Sequence, residues 1–292
     1  MTSKPKQIVV DKSAFQGIKL DSLCNFAKHH LLLVSDSLLY ECATAEKNKR
    51  QDPTDLLAKY ECLIKEGAYY CSMSWKFVEW ECRHCQPYPW LLADPDETKG
   101  VRSGQIDLRS VLNPRIADQA RDARWLFAKN MLLNLSGEIK QRVDAKDPCF
   151  GRELRGFPED RFTGLSMILD KTSPDFHDMA TRSFPQWIRD LGRFCLSAEW
   201  MTWHRIRLHV AVIVDYTYLR EKGGNPGNRL AEHDDQDVEY VLLLSRADAI
   251  ITAENEERGL VPTLARAAFP EKDVFSSLDE VPESYRCDWA NR

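Results

Sequence analysis

Long apolar runs are absent from this sequence. Its two densest apolar stretches, Leu31–Val34 and Val210–Val214, are far shorter than the roughly 20 apolar residues that a membrane-spanning helix needs. The polar segment Met1–Gln7 is not followed by the apolar core of a signal peptide. We therefore expect a cytoplasmic protein that has no membrane contact.

A disulfide framework is also missing. The nine cysteines are an odd number and are scattered along the chain, which is typical of reduced thiols in a cytosolic protein. Cys82 and Cys85 have the C-x-x-C spacing of a zinc knuckle, but a structural zinc site of this type needs a second such pair. Cys62 and Cys71, which lie upstream, are nine residues apart. We therefore expect buried free thiols.

Several common catalytic motifs do not occur. No G-x-G-x-x-G follows the first strand-like segment, and the chain has neither a P-loop nor a G-x-S-x-G sequence. Dinucleotide binding, P-loop nucleotide hydrolysis and α/β-hydrolase chemistry are therefore not expected.

An excess of positive charge is absent as well. The formal net charge is −5, whereas a protein that coats nucleic acid needs a broadly basic surface. A local basic groove is still compatible with this charge. Arg205 and Arg207 follow Trp200 and Trp203 closely, and arginines next to aromatic rings can bind phosphates and stacked bases. Both arginines are candidate phosphate ligands, and the alternatives are a solvated helix face and simple core packing.

Short β-branched or leucine-rich runs predict buried strands at both ends of the chain. Gln7–Asp11 and Leu31–Val34 are the first two, and Ala247–Thr252 and Lys272–Phe275 follow near the C-terminus. Helical spacing of apolar residues separates them. An order of strand, helix, strand, helix favours a parallel sheet covered by helices.

The middle of the chain has a different character. From Thr44 to Gly223 the apolar spacing is mostly helical, with long patterns over Ile116–Val143 and Phe184–Leu219. Gly223–Gly227 is the clearest break in the chain. We therefore predict one discontinuous α/β domain, formed by residues 5–45 and 230–280. A mainly α-helical insertion, residues 46–229, would pack on it.

Carboxylates follow the predicted strands at the edge of the sheet where sites form in parallel α/β proteins. Asp11 follows the first strand, Glu254 follows the third, and Glu41 and Asp237 lie on helices near them. Asp234 and Asp235 are alternatives to Asp237; at about 100° per residue, only Asp234 lies near the same face of the helix as Asp237. Clustered carboxylates repel one another unless a cation neutralises them, and hard oxygen ligands select Mg²⁺ or Mn²⁺.

The same segments resemble the PIN-like domain superfamily. Val9–Ser13 is similar to the opening strand and aspartate of that family, and Leu33–Glu41 to its second strand and glutamate-bearing helix. Asp234–Tyr240 and Ala247–Thr252 are similar to its closing helix and strand. The resemblance covers about a third of the chain. The fourth acid of the family is usually an aspartate, and here Glu254 stands in its place.

This resemblance implies a Mg²⁺- or Mn²⁺-dependent nuclease, most often an endoribonuclease that hydrolyses phosphodiester bonds in RNA. Its implied metal ligands and catalytic residues are Asp11, Glu41, Asp237 and Glu254. The metal would bind a phosphate oxygen and lower the pKa of a bound water. The helical insertion would shape access for RNA or bind a protein partner.

A second interpretation keeps the fold without the catalysis. A PIN-like protein that has lost its activity would work as a binding or scaffold protein. Glu254 and the acidic net charge favour this alternative, whereas Asp11 and Glu41 favour the nuclease.

Overall fold

The computed structural model describes most of both ends of the chain and parts of its middle. The described residues are 4–44, 52–84, 86–108, 163, 165–166, 169, 198–205, 207–209, 211–212, 233–255 and 259–287. The helix predicted over Ile116–Val143 lies outside the described residues, and so does most of the one over Phe184–Leu219.

The first part of the chain alternates strands with helices. In order, its elements are strand β1 (Gln7–Val10), helices α1 (Lys12–Gly17) and α2 (Leu20–Ala27), strand β2 (Leu31–Ser35) and helix α3 (Asp36–Ala43). Every residue of both strands is buried. This burial explains why the strands are continuous runs of Val, Ile and Leu with little alternation of polar and apolar residues.

The next part places three helices around a third strand. Its elements are helix α4 (Pro53–Glu66), strand β3 (Tyr69–Cys71), and helices α5 (Ser74–His84) and α6 (Pro95–Arg102). Gly67 separates α4 from β3 with a φ of 147°, a backbone conformation that favours glycine. An added Cβ there would lie 3.0 Å from the Ala27 carbonyl oxygen, so the position also needs the absence of a side chain.

The C-terminal part completes the sheet. Its elements are helix α7 (His233–Leu243), strand β4 (Ala249–Ile251), helix α8 (Leu260–Ala268) and strand β5 (Asp273–Phe275), followed by two 3₁₀ turns, Leu278–Glu280 and Glu283–Tyr285.

All five strands form one parallel sheet in the order β3-β2-β1-β4-β5. In its centre Ile8 lies opposite Leu32 on one side and Ala249 on the other. The chain therefore extends the sheet from β1 in one direction through β2 and β3. It then returns to the other side of β1 to add β4 and β5.

Side-chain caps begin four of the described helices at the positions that the sequence provides. Asp11 accepts a hydrogen bond from the Ala14 amide at the start of α1, and Ser35 accepts one from the Leu38 amide at the start of α3. Asp52 and Asp94 cap α4 and α6, each followed by a proline at the first helical position. Such caps satisfy amides that have no partner within the helix.

A buried carboxylate connects α5 to a helical segment that begins at residue 201. Glu81 is fully buried and accepts hydrogen bonds from the backbone amides of Met201 and Thr202, at 3.0 and 2.8 Å, and from the Thr202 hydroxyl at 2.6 Å. The Tyr88 amide donates to the same carboxylate at 3.0 Å. A negative group at a helix N-terminus is favoured by the helix dipole, so Glu81 stabilises this attachment.

The predicted α/β character and parallel sheet are confirmed. The predicted domain division needs one correction, because β3 belongs to the central sheet although residues 69–71 were assigned to the helical insertion. The sheet is therefore built from more than residues 5–45 and 230–280. None of the helices in the described ranges is long and apolar enough to cross a membrane.

Candidate functional site

The candidate site lies where the path of the chain changes direction across the sheet. Strand β1 is followed by β2 on one side, and β4 is added later on its other side. In open parallel sheets, ligands bind beyond the carboxyl ends of strands at such a switch point. Asp11 directly follows β1, while Thr252 and Glu254 follow β4. The backbone amide of Asp11 donates to the Ile251 carbonyl at 3.1 Å, which joins the two strand ends.

Asp11 is almost fully buried, and its carboxylate is held by short-range contacts. The Ala14 amide donates to Oδ1 at 2.8 Å, and the Ser13 hydroxyl lies 2.8 and 2.9 Å from the two carboxylate oxygens. Burial, with a smaller contribution from the nearby charge of Glu254, raises the pKa of Asp11 from 3.8 to about 6. The hydrogen bonds from Ala14, Thr252 and Ser13 lower the pKa but do not offset the burial.

Ser13 connects the ends of β1 and β4. Its hydroxyl accepts a hydrogen bond from the Ala253 amide at 2.8 Å and lies 3.2 Å from the Thr252 hydroxyl. The same hydroxyl contacts Asp11, so one side chain fixes the acid against the neighbouring strand. We did not predict this role, although the position of Ser13 two residues after Asp11 is a signal for a side chain that turns back onto the carboxylate.

Glu254 is oriented by helix α8. Its Oε2 accepts a hydrogen bond from the Val261 amide at 3.1 Å, in the first turn of a helix whose N-cap residue, Gly259, offers no side chain. An added Cβ at Gly259 would lie 2.6 Å from Glu254 Oε2. The longer side chain of glutamate thus has a structural reason here, since it reaches an amide at the N-terminus of α8.

Glu41 already has two strong partners. Lys12 Nζ lies 3.1 Å from its Oε1, and the Tyr240 hydroxyl donates to its Oε2 at 2.5 Å. Glu41 is 5% exposed, and Tyr240 is buried. Burial, followed by the charge of Glu41, raises the pKa of Tyr240 well above its usual value, so the phenol stays protonated as a donor. Neither Lys12 nor Tyr240 was among the predicted site residues.

The predicted third acid lies on α7, close to this group. Asp237 is partly buried and precedes Tyr240 by three residues, which places it about 60° away around the helix. Asp234 and Asp235 belong to the same helix, one turn or less before Asp237. The face of α7 that carries Tyr240 is the one that approaches Glu41.

The structure brings the predicted acids into two neighbouring groups. Asp11 and Glu254 are close enough for their charges to interact, and Glu41 is joined to Lys12 and Tyr240. Within the described ranges, no three or more Asp, Glu, His or Cys side chains are arranged to hold one metal ion. The four predicted ligands are therefore not gathered into a single shell. Two carboxylates with waters are nevertheless a usual donor set for Mg²⁺.

The chain matches no family model, no curated protein and no solved structure.

The two predicted phosphate ligands have other partners in the structure. Arg207 is 2% exposed, and its guanidinium donates to the carbonyls of Leu169 and Ala268 and to His204. Burial lowers its pKa to about 10. Because Ala268 ends α8, Arg207 places positive charge at a helix C-terminus, which is favourable. We correct its predicted role from phosphate ligand to a support of α8.

Arg205 is in a weaker pair. Its Nη2 lies 3.8 Å from Glu239 Oε1, and its side chain is 17% exposed. Glu239 also accepts a hydrogen bond from the Ser74 hydroxyl. Arg205 therefore takes part in a contact between the segment that begins at residue 201, helix α7 and helix α5.

Proposed function

We propose that this protein is a PIN-like, Mg²⁺- or Mn²⁺-dependent nuclease that hydrolyses phosphodiester bonds in RNA. The observation that carries the proposal is that Asp11 and Glu254 lie at the switch point between β1 and β4, close enough for their charges to interact. Asp11 is buried and has a perturbed pKa, and an acid with these properties at such a point is typical of a functional site.

The electrostatics of Asp11 support a bound cation. Its pKa is raised to about 6 because burial is not offset by a positive charge. A divalent cation beside the carboxylate would remove this cost and would also reduce the repulsion from Glu254. Asp11 and Glu254 would hold the ion, with Glu41 and Asp237 close to its water shell. The ion would supply charge stabilisation for the phosphate in the transition state and would acidify a water.

The surrounding residues would orient this donor set. Ser13 and the Ala14 amide hold the Asp11 carboxylate in one orientation, and the Val261 amide holds one oxygen of Glu254. Each acid would thus present its remaining lone pairs in a fixed direction. Tyr240 holds Glu41 in the same way. Ligands that are fixed before binding lose little conformational entropy when they bind.

The test is cleavage of a labelled RNA with Mn²⁺, together with direct Mn²⁺ binding, in wild type and Asp11→Asn. We expect the variant to lose at least about 100-fold in cleavage rate, because the charge that would bind the cation is gone while the shape is kept. Asp21→Asn is the matched control, since Asp21 is exposed on α2. Equal cleavage by wild type and Asp11→Asn would end this proposal.

A catalytically inactive binding or scaffold protein of the same fold is the second candidate. Two contacts favour it: Glu41 is already paired with Lys12, and Glu254 already binds the N-terminus of α8. In this case the acids would stabilise the junction between the strands, and residues 46–229 would contribute the surface for a protein partner. A wild type that neither binds Mn²⁺ at millimolar concentration nor cleaves RNA would favour this candidate over the nuclease.

A further inference from the structure

Two free cysteines lie next to each other where helix α2 packs on helix α4. Cys24 belongs to α2 and Cys62 to α4, and both are free thiols. One turn further along each helix, Lys28 Nζ lies 3.2 Å from Glu66 Oε2. Because residues four apart share one face of a helix, the cysteines and this ion pair are successive contacts of the same helix–helix interface.

The two thiols are close enough to interact directly. The Cys24 thiol is within hydrogen-bonding reach of Cys62, and the charge of Cys62 also acts on it. Burial, with smaller contributions from Cys62 and Glu66, raises the pKa of Cys24 to about 11. Cys24 therefore keeps its proton at neutral pH and is the donor in this contact.

The two thiols differ in their access to solvent. Cys24 is 7% exposed, whereas Cys62 is only partly buried at the edge of the core. A small oxidant can therefore reach Cys62, and its product would form directly against the Cys24 thiol. Redox-sensitive cysteines are typically accessible and have a second cysteine beside them. Cys42 and Cys71 are fully buried and lack such access.

A bond between the two sulfur atoms would fix the packing of α2 on α4. The chain between them contains strand β2 and helix α3. The ion pair of Lys28 and Glu66 contributes little to this packing, because both side chains are nearly half exposed. A disulfide would contribute more, since it restricts the unfolded chain over the whole enclosed loop.

We propose that Cys24 and Cys62 form a reversible disulfide, in which Cys62 reacts with a hydroperoxide and Cys24 resolves the product. The Cys62 sulfur attacks one oxygen of hydrogen peroxide, the O–O bond breaks, and a sulfenic acid and one water form. The Cys24 sulfur then attacks the sulfenic sulfur, and the leaving hydroxide takes up the Cys24 proton as a second water. The two thiols are oxidised by two electrons, which reduce the peroxide. The pair needs neither metal nor RNA, so its test is independent of the proposed nuclease.

The experiment treats the reduced full chain, at low micromolar concentration, with a few equivalents of hydrogen peroxide. The remaining thiols are alkylated in denaturant, and a tryptic digest is analysed by mass spectrometry. Cys24 and Cys62 lie on separate tryptic peptides, residues 20–28 and 60–65. We expect one linked species that is lighter by two hydrogens than the sum of the two reduced peptides. Dithiothreitol should remove it.

Thermal unfolding and three variants give further readouts. Oxidised wild type should unfold about 4 to 10 °C above reduced wild type, the shift that a disulfide closing a loop of this kind produces. Cys62→Ser should lose both the linked species and this shift. Cys24→Ser should leave Cys62 as a sulfenic acid that dimedone captures. Cys287→Ser removes another partly exposed thiol and should behave as wild type.

The digest decides between the outcomes. A linked species of residues 20–28 and 60–65 that forms in wild type and in Cys287→Ser supports the disulfide. Linkage of Cys62 to a different cysteine overturns the pairing, and so does oxidation of Cys62 to sulfinic acid while Cys24 stays reduced. Fully reduced 20–28 and 60–65 peptides after treatment of wild type also overturn it. Circular dichroism confirms that each protein is folded before peroxide is added.

Discussion

Replacement of Asp11 by asparagine should stabilise the metal-free protein at neutral pH. Burial raises the pKa of Asp11 from 3.8 to about 6, and each tenfold change in acidity corresponds to about 1.4 kcal/mol, so the charged form costs about 3 kcal/mol. Asparagine removes the charge and is as good an N-cap residue as aspartate. Its carbonyl oxygen can accept from the Ala14 amide, and its amide group can donate to Ser13.

The pH dependence follows from the sign of this change in pKa. Between pH 3.8 and about 6 the folded protein keeps the proton on Asp11 while the unfolded chain has lost it. The contribution of Asp11 to the free energy of unfolding is therefore fully present below pH 3.8 and is lost as the pH rises through about 6. Wild type and Asp11→Asn should be equally stable near pH 3.5, and the variant should be more stable by about 2 to 3 kcal/mol at pH 7.5.

The measurement is urea unfolding followed by tryptophan fluorescence between pH 3.5 and 7.5, with a chelator present throughout. Asp21→Asn, on the exposed side of α2, should follow wild type over the whole range. An Asp11→Asn variant that is no more stable than wild type at pH 7.5 would refute the account of Asp11 as a buried, uncompensated charge. With Mn²⁺ present, binding to wild type alone would reduce or reverse the difference.

Two further substitutions test the supports of the site and of the fold by thermal or urea unfolding. Gly259→Ala would place a Cβ 2.6 Å from Glu254 Oε2 and should destabilise the protein by about 1 to 3 kcal/mol. Its control is Gly17→Ala, where the added Cβ would lie 4.0 Å from the nearest atom, Ala253 Cβ, and the stability should change little. Glu81→Gln turns an amide group toward backbone N–H donors and should lower the free energy of unfolding by about 2 to 4 kcal/mol. The control is Glu79→Gln, at an exposed position of the same helix, which should change the stability little. A normal stability for either test variant would contradict the contacts on which it is based.

The strands at both chain ends were predictable because their composition reflects their position. β1 and β2 are buried on both faces, and strands of this kind consist mainly of consecutive Val, Ile and Leu residues. The end of each strand then follows from the first polar residue, which is why Asp11 was placed correctly after β1. Ser35–Ser37, which follow the second predicted strand, are three candidate N-cap residues in the sequence, and Ser35 is the one that caps α3.

The failure to predict strand β3 also has a physical reason. It is only three residues long, Tyr69–Cys71, and lies between two helices whose patterns extend almost to its ends. A run this short shows no period that separates strand from helix. Its place in the sheet is determined by pairing with β2, a contact that the local sequence does not contain.

The polar contacts of the site were the least predictable part. Tyr240 and Glu41 are 199 residues apart, and Ser13 and Ala253 are 240 apart. Such pairs depend on how distant elements are placed, so composition and spacing carry no direct signal for them. The acids themselves could be found, but the partners that neutralise or orient them could not.

The position of β1 at the centre of the sheet has a consequence for synthesis of the protein. β1 and β2 are made early, yet the other edge of β1 pairs with β4, and the contact between Gln7 and Asp248 spans 241 residues. At a translation rate of about 5 to 20 residues per second, that edge stays open for roughly 12 to 48 seconds on the ribosome. An unpaired, fully apolar strand edge is a template for aggregation. We therefore expect this edge of β1 to be open to wrong pairing until β4 emerges.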